Sequence, residues 1–269
     1  MNEDLDNIQP TQIRNYQYAQ FFRDVHYNGK VLDAAERMEF ISVINETITD
    51  YSKGLPMIKH ILESIKQRKD EFHEIQRTIV SVMQFTLITM IDSMVISKYF
   101  ILADKNYDKC FLRGKMKVIL NEGFKKLYGF KEGKQSKWND IGTIMKYFPE
   151  EIHRQYQELT SLLEKHSKSS SWWKDERDVE THLDTEKLYA SRCEKIKESQ
   201  VIIDFLKLFE TLNAVNLFLT NMHACLNNFL VYKYRHGELQ DVKNILCTNE
   251  QTTTSSQNMG IGKQDALED

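Results

Sequence analysis

Apolar residues recur at three- and four-residue steps along much of this chain, the repeat of an amphipathic α-helix. Leu32, Ala35, Met38, Ile41, Ile44 and Ile48 fall on one face of a helix expected over 31–51. Ile202, Phe205, Phe209, Leu212, Asn216, Leu219, Met222, Leu226 and Phe229 mark a long helix expected over 191–235. Ser191-Arg192-Cys193-Glu194 has the form of a capping box for its start, and Arg235-His236-Gly237 that of a stop. A further helix is expected over 11–25, ending at Asn28-Gly29. Ser52-Lys53-Gly54-Leu55-Pro56 closes the 31–51 helix and opens another, because proline suits a first turn.

No breaker follows Pro56 until position 104. One unbroken helix of that span would be about 74 Å long, too long for one compact domain. A bend, an overhang or a break is therefore expected at the polar run Gln67-Arg68-Lys69-Asp70-Glu71. Within this stretch, 80–96 reads VSVMQFTLITMIDSMVI. It lies at the lower length limit of a membrane span, of roughly 17 residues, and Gln84 and Asp92 interrupt it, so a buried central helix is the expectation.

The middle of the chain is patterned differently. Gly114, Gly123, Gly129, Gly133 and Gly142 supply half of the ten glycines. Short helices are expected over 108–127 and 139–147, with a loop over 129–137. Pro149-Glu150-Glu151 opens a fresh helix with acids in its first turn, and the polar run 165–171 (KHSKSSS) reads as a linker. From 248 onward the chain is polar, low in complexity and expected to be disordered.

Three prolines in 269 residues leave too little turn punctuation for a sandwich or barrel, and no glycine-rich βαβ turn is present. The expected fold is all-α: an antiparallel helical bundle with long helices (31–104 and 191–235) and a basic helical insertion over about 107–168. One domain over 1–247 and a tail over 248–269 complete the organisation.

Four widely spaced cysteines (Cys110, Cys193, Cys225, Cys247) form no CxxC pair, so reduced thiols are expected, buried at Cys193 and Cys225. The acidic start Met1-Asn2-Glu3-Asp4-Leu5-Asp6 is unlike a signal peptide, which makes the cytoplasm the expected compartment and leaves no membrane association to expect.

A net charge of −3 excludes a uniformly basic nucleic-acid binder, but the charge is uneven. Over 113–148 nine cations oppose three acids, a local +6 that leaves −9 on the remainder. Lys125, Lys126, Lys131, Lys134 and Lys137 are interleaved with Phe124, Tyr128, Phe130 and Trp138, a mixture suited to a nucleic-acid backbone or to a solvated face above an apolar stripe. Trp172-Trp173 can stack on bases or anchor a linker by burial. Glu150 and His153 give one Glu-x-x-His pair without a second, no zinc spacing or P-loop occurs, and no cofactor is expected. Asn213, Asn216, Asn221, Asn227, Asn228 and His223 form a polar series in the last helix that sets register or lines a partner contact.

The segment Arg177-Asp178-Val179-Glu180-Thr181-His182 combines a guanidinium and an imidazole at an Arg-x4-His spacing, with an acid directly after the arginine. Arg68-Lys69-Asp70-Glu71-Phe72-His73 fits the same spacing, but it is expected inside a long helix and has lysine after its arginine. The 177–182 segment precedes the closing helix and is the preferred candidate. It resembles the R-x4-6-H motif of the HEPN superfamily, small helical bundles that include many RNases. The resemblance covers the bundle helices and this motif, not 107–168. It implies metal-independent RNA cleavage by a homodimer whose two motifs share a cleft, and an antitoxin-like protein as a further partner. A neutral imidazole at His182 takes the proton of a ribose 2′-hydroxyl near neutral pH, and Arg177 holds the scissile phosphate. Asp178, four residues before His182, shares its helical face and can fix its tautomer. The alternative is a non-catalytic helical interaction or RNA-binding module, with Arg177 in an ion-pair network and His182 as a packing residue.

Overall fold

The computed structural model describes residues 33–129, 136–169, 178–181, 185–196 and 198–235. The expected 11–25 helix, Trp172-Trp173 and the tail from 248 lie outside them. Every regular element among the described residues is helical, which makes the fold all-α. In order these are α1 (Ala34–Ser64), α2 (Glu71–Leu102), α3 (Asn106–Leu127), α4 (Lys137–Ile144) with a 3₁₀ turn at Met145–Tyr147, α5 (Glu150–Ser169), α6 (Thr185–Cys193) and α7 (Glu198–Arg235). The chain divides into two compact units, Met1–His223 and Ala224–Asp269, each taken by itself. The packing that follows is that of the first.

Contacts between named residues fix the directions of the helices. Arg37 at the start of α1 donates to the Ile101 carbonyl at the end of α2. Arg77 at the start of α2 donates to Ile65 and Arg68 carbonyls just past the end of α1. The two helices are therefore antiparallel. Gly123 of α3 approaches Thr89 of α2 so closely that a Cβ would lie 2.6 Å from the threonine methyl. Near the other ends, Ser97, Phe100 and Met116 line one small apolar void with Phe40, Ile202 and Phe205. So α3 runs antiparallel to α2. Polar bonds along α7 give its register in turn. Asn213 accepts from Tyr51 (3.2 Å), Asn216 accepts from Thr86 (3.4 Å), and His223 lies 3.4 Å from the Gln76 amide. Thus α7 runs antiparallel to α2, and the register-setting expectation for its polar series is met at these positions.

The basic region is built into this frame. Met116, Leu120, Phe124 and Leu127 of α3 are core residues, and α3 lies along α2. Trp138 of α4 is 1% exposed, stacks on Tyr156 of α5 and donates its indole N–H to Thr160 (2.9 Å). The α2 helix is long and apolar enough to cross a membrane, but α1 and α3 pack along it and half of its most apolar window is buried. It is the core helix expected from 80–96.

Several boundaries differ from the sequence reading. The α1 helix continues through Gly54 and Pro56 to Ser64, although proline removes a backbone donor and was expected to start a new element. Burial of Tyr51 and Ile58 on either side holds the helix together across that defect. The expected break at 67–71 is real, with α2 capped by Asp70. The run 165–171 is helical through Ser169 rather than a linker from 165. Ser191–Cys193 do not open the last helix. They end α6, and α7 begins at Glu198, because Arg192 and Glu194 are engaged by α3 as described below. Cys193 is exposed, Cys225 half-buried, and only Cys110 of the three described thiols is buried.

Candidate functional site

Four residues of the preferred motif, 178–181, are described and form a helical turn; Arg177 and His182 lie outside the described residues. Asp178 is half-buried, and Thr181 donates to its backbone carbonyl. Glu180, which carried no role in the sequence reading, anchors this turn. Its carboxylate accepts from Arg192 Nη1 (2.5 Å) and Nη2 (2.7 Å), and the two side chains are 3% and 7% exposed. This bidentate pairing raises the Arg192 pKa. Lys115 adds a second cation 3.9 Å from Glu180.

The floor of this ion pair is α3. A Cβ on Gly114 would lie 2.9 Å from Glu180 Oε2 and would overlap the rest of the carboxyl group. One turn earlier, the Phe111 ring takes the Arg192 guanidinium at 5.4 Å and the Lys115 ammonium at 5.2 Å. Arg192 also reaches the Cys110 carbonyl. The end of α6 is clamped to the same helix. Asn106 Nδ2 and Cys110 Sγ donate to the Glu194 carbonyl at 2.9 and 3.2 Å, and Arg113 pairs with the Glu194 carboxylate at 2.7 Å. Burial pushes the Cys110 thiol up, so it is a poor nucleophile where it sits.

The second Arg-x4-His match is fully described and straddles a helix start rather than lying wholly inside a helix. Arg68 lies in the 65–70 connection, Asp70 is the N-cap of α2, and His73 stands in its first turn. Asp70 accepts from the His73 backbone N–H (3.1 Å), and its carboxylate lies 2.5–2.7 Å from His73 Nδ1. Burial raises the Asp70 pKa, but its bonds to His73 outweigh that and leave it lowered. The carboxylate–imidazole pairing expected of Asp178 and His182 is thus present here as a helix cap. Beside it, Tyr147 donates to Glu71, with Lys146 over the tyrosine ring.

The basic candidates separate by environment. Lys125 and Lys126 are exposed at the end of α3, with Glu122 3.9 Å from Lys125. Lys137 is half-buried over Phe85 (5.5 Å) and reaches Ser81. Lys131 and Lys134 lie outside the described residues. Of the interleaved aromatics, Phe124 and Trp138 are buried in the core and so cannot offer a face to a base. Among the described residues no group of histidine, cysteine and acidic side chains can hold a metal ion.

These features define an all-α helical protein with a buried carboxylate–guanidinium brace inside its Arg-x4-His segment. Comparison with known proteins finds no matching family model, no matching curated protein and no matching solved structure.

Proposed function

We propose that this chain is a HEPN-like, metal-independent endoribonuclease of the cytoplasm, acting on RNA as a homodimer. The observation that supports this reading best is the burial of Glu180. It lies between Arg177 and His182 in sequence, and its lock onto Arg192 and α3 ties the 178–181 turn to the bundle. Catalytic groups need such fixed support, since small misplacements cost large factors in rate.

In the proposed reaction His182 removes the proton of a ribose 2′-hydroxyl. The 2′-oxygen then attacks the adjacent phosphorus, and the bond to the 5′-oxygen breaks as the His182 imidazolium returns the proton to that leaving oxygen. The products are a 2′,3′-cyclic phosphate and a 5′-hydroxyl. Arg177 balances charge developing on the phosphate oxygens, and Asp178 holds the imidazole tautomer. Exposed Lys125 and Lys126 contribute backbone attraction that weakens with salt. The test is RNA cleavage in EDTA by the parent chain and by His182→Ala and Arg177→Ala. Both substitutions abolish cleavage while leaving helical circular dichroism unchanged; equal activity in all three proteins ends the assignment.

The same brace supports a second reading, a non-catalytic helical interaction module that engages a protein partner. There the segment is only a structural cap, and His182→Ala lowers the melting temperature without any RNA phenotype.

A further inference from the structure

Cys110 and Cys193 come together where the end of α6 rests on α3. Cys110 is fully buried, while Cys193, the last residue of α6, is open to solvent. The residues on either side of Cys193 both bond to Cys110. Arg192 Nη1 donates to the Cys110 backbone carbonyl at 3.5 Å, and the Cys110 thiol donates to the Glu194 carbonyl at 3.2 Å. The chain at position 193 therefore passes directly beside Cys110. The electrostatics of the buried thiol carry the same proximity. Burial pushes it up most, Arg113 and Arg192 pull it down, and Glu194 and Cys193 push it further up. Helix ends fray, so the Cys193 side chain can turn toward α3 without breaking a helix.

One thiol open to solvent and one sealed beside it form an unequal pair. A dissolved oxidant meets Cys193 first. Cys110 is a poor nucleophile toward solutes, but an oxidised sulfur held next to it is an intramolecular partner, at an effective concentration that no dissolved thiol matches.

We propose that Cys110 and Cys193 form a reversible disulfide that latches α6 to α3 when the protein meets a hydroperoxide. The Cys193 sulfur attacks the peroxide and the O–O bond breaks. The sulfur is oxidised to a sulfenic acid, and its proton leaves with the reduced oxygen as an alcohol, or as water from hydrogen peroxide. The Cys110 sulfur then attacks the sulfenic sulfur. The S–S bond forms, the S–O bond breaks, and the hydroxyl leaves as water with the Cys110 proton. Two electrons pass from the two thiols to the peroxide, and exchange with a dithiol reverses the bond. The disulfide fastens the end of α6 beside the Glu180–Arg192 pair, so oxidation adds a covalent tie to the contact that holds the 178–181 turn. The inference does not depend on the chemistry assigned to Arg177 and His182.

Thiol mapping of the whole chain treated with hydrogen peroxide tests it. In native buffer, alkylation and peptide mass analysis find Cys110 joined to Cys193 within one chain, and dithiothreitol releases the link. Cys193→Ser, at an exposed position, leaves Cys110 reduced under the same treatment. Cys110→Ser leaves Cys193 as a sulfenic acid that dimedone traps. The oxidised parent chain unfolds at a higher urea concentration than the reduced one, a shift that Cys193→Ser removes. Peroxide added to the urea-unfolded chain shows no preference for this pair over Cys225 and Cys247, because the fold alone brings the two sulfurs together. Cys193 halting at sulfenic acid beside a reduced Cys110, a native link from Cys193 to Cys225 or Cys247, an unchanged urea midpoint, or equal 110–193 preference in urea overturns the proposal.

Discussion

Gly114 and Glu180 are matched: the glycine leaves open the space on α3 that the glutamate carboxylate fills. A Cβ at position 114 would collide with a carboxyl group that two bonds from Arg192 hold in place. Gly114→Ala is therefore expected to destabilise the fold by about 1–3 kcal/mol, the range of an overpacked site. Its midpoint in urea checks this; an unchanged or raised midpoint shows that the carboxylate can move aside freely.

The ion pair itself behaves asymmetrically under mutation. Arg192→Met leaves Glu180 charged and buried, at a cost of about 3–5 kcal/mol. Glu180→Leu combined with Arg192→Met removes both charges and costs much less, because it strands neither. Equal losses in the single and double variants would mean that packing, and not charge, sets the cost.

Asp70 and His73 form a cap rather than a catalytic dyad. Asp70→Ala is expected to cost about 1 kcal/mol by freeing backbone donors at the start of α2. His73→Ala leaves RNA cleavage intact, in contrast with His182→Ala. Loss of cleavage in the His73 variant would transfer the chemistry to this end of α2.

How much of this was legible in the sequence depends on whether local pattern or tertiary burial decides each feature. The all-α class, the break at 67–71 and the helix start at Glu150 follow from local signals: few breakers, a polar run with an N-cap aspartate, a proline before two acids. The passage of α1 through Gly54 and Pro56 does not, because burial around Tyr51 and Ile58 overrides the local penalty. Ser191–Glu194 misled for a related reason. Its capping-box spacing is genuine, but Arg192 is captured by Glu180 and Glu194 by α3. At the candidate site, the Arg-x4-His spacing was visible and the brace within it was not. The available signal was Gly114, a glycine inside a helical stretch that terminates nothing, which marks a close approach.

His223 gives a pH dependence with a definite sign. Burial lowers its pKa from the ordinary value of 6.5. A histidine whose folded-state pKa is depressed favours the fold most above the unfolded value. That stability is lost as the pH falls from about 6.5 through the depressed folded-state value, since the unfolded chain binds the proton more tightly. His223→Gln removes this component, so its stability falls less than that of the parent chain over the same window. Parallel curves for the two proteins would contradict the assignment.

The most direct measurement for the central claim is the chemistry of the RNA ends produced in EDTA. A 5′-labelled RNA incubated with the parent chain should yield fragments ending in 2′,3′-cyclic phosphate, with 5′-hydroxyls on the downstream pieces. A 2′-deoxy substitution at the scissile nucleotide should block cleavage there, and His182→Ala should yield no product. No cleavage by the parent chain, cleavage that survives the 2′-deoxy substitution, or fragments ending in 3′-hydroxyl and 5′-phosphate would contradict the account.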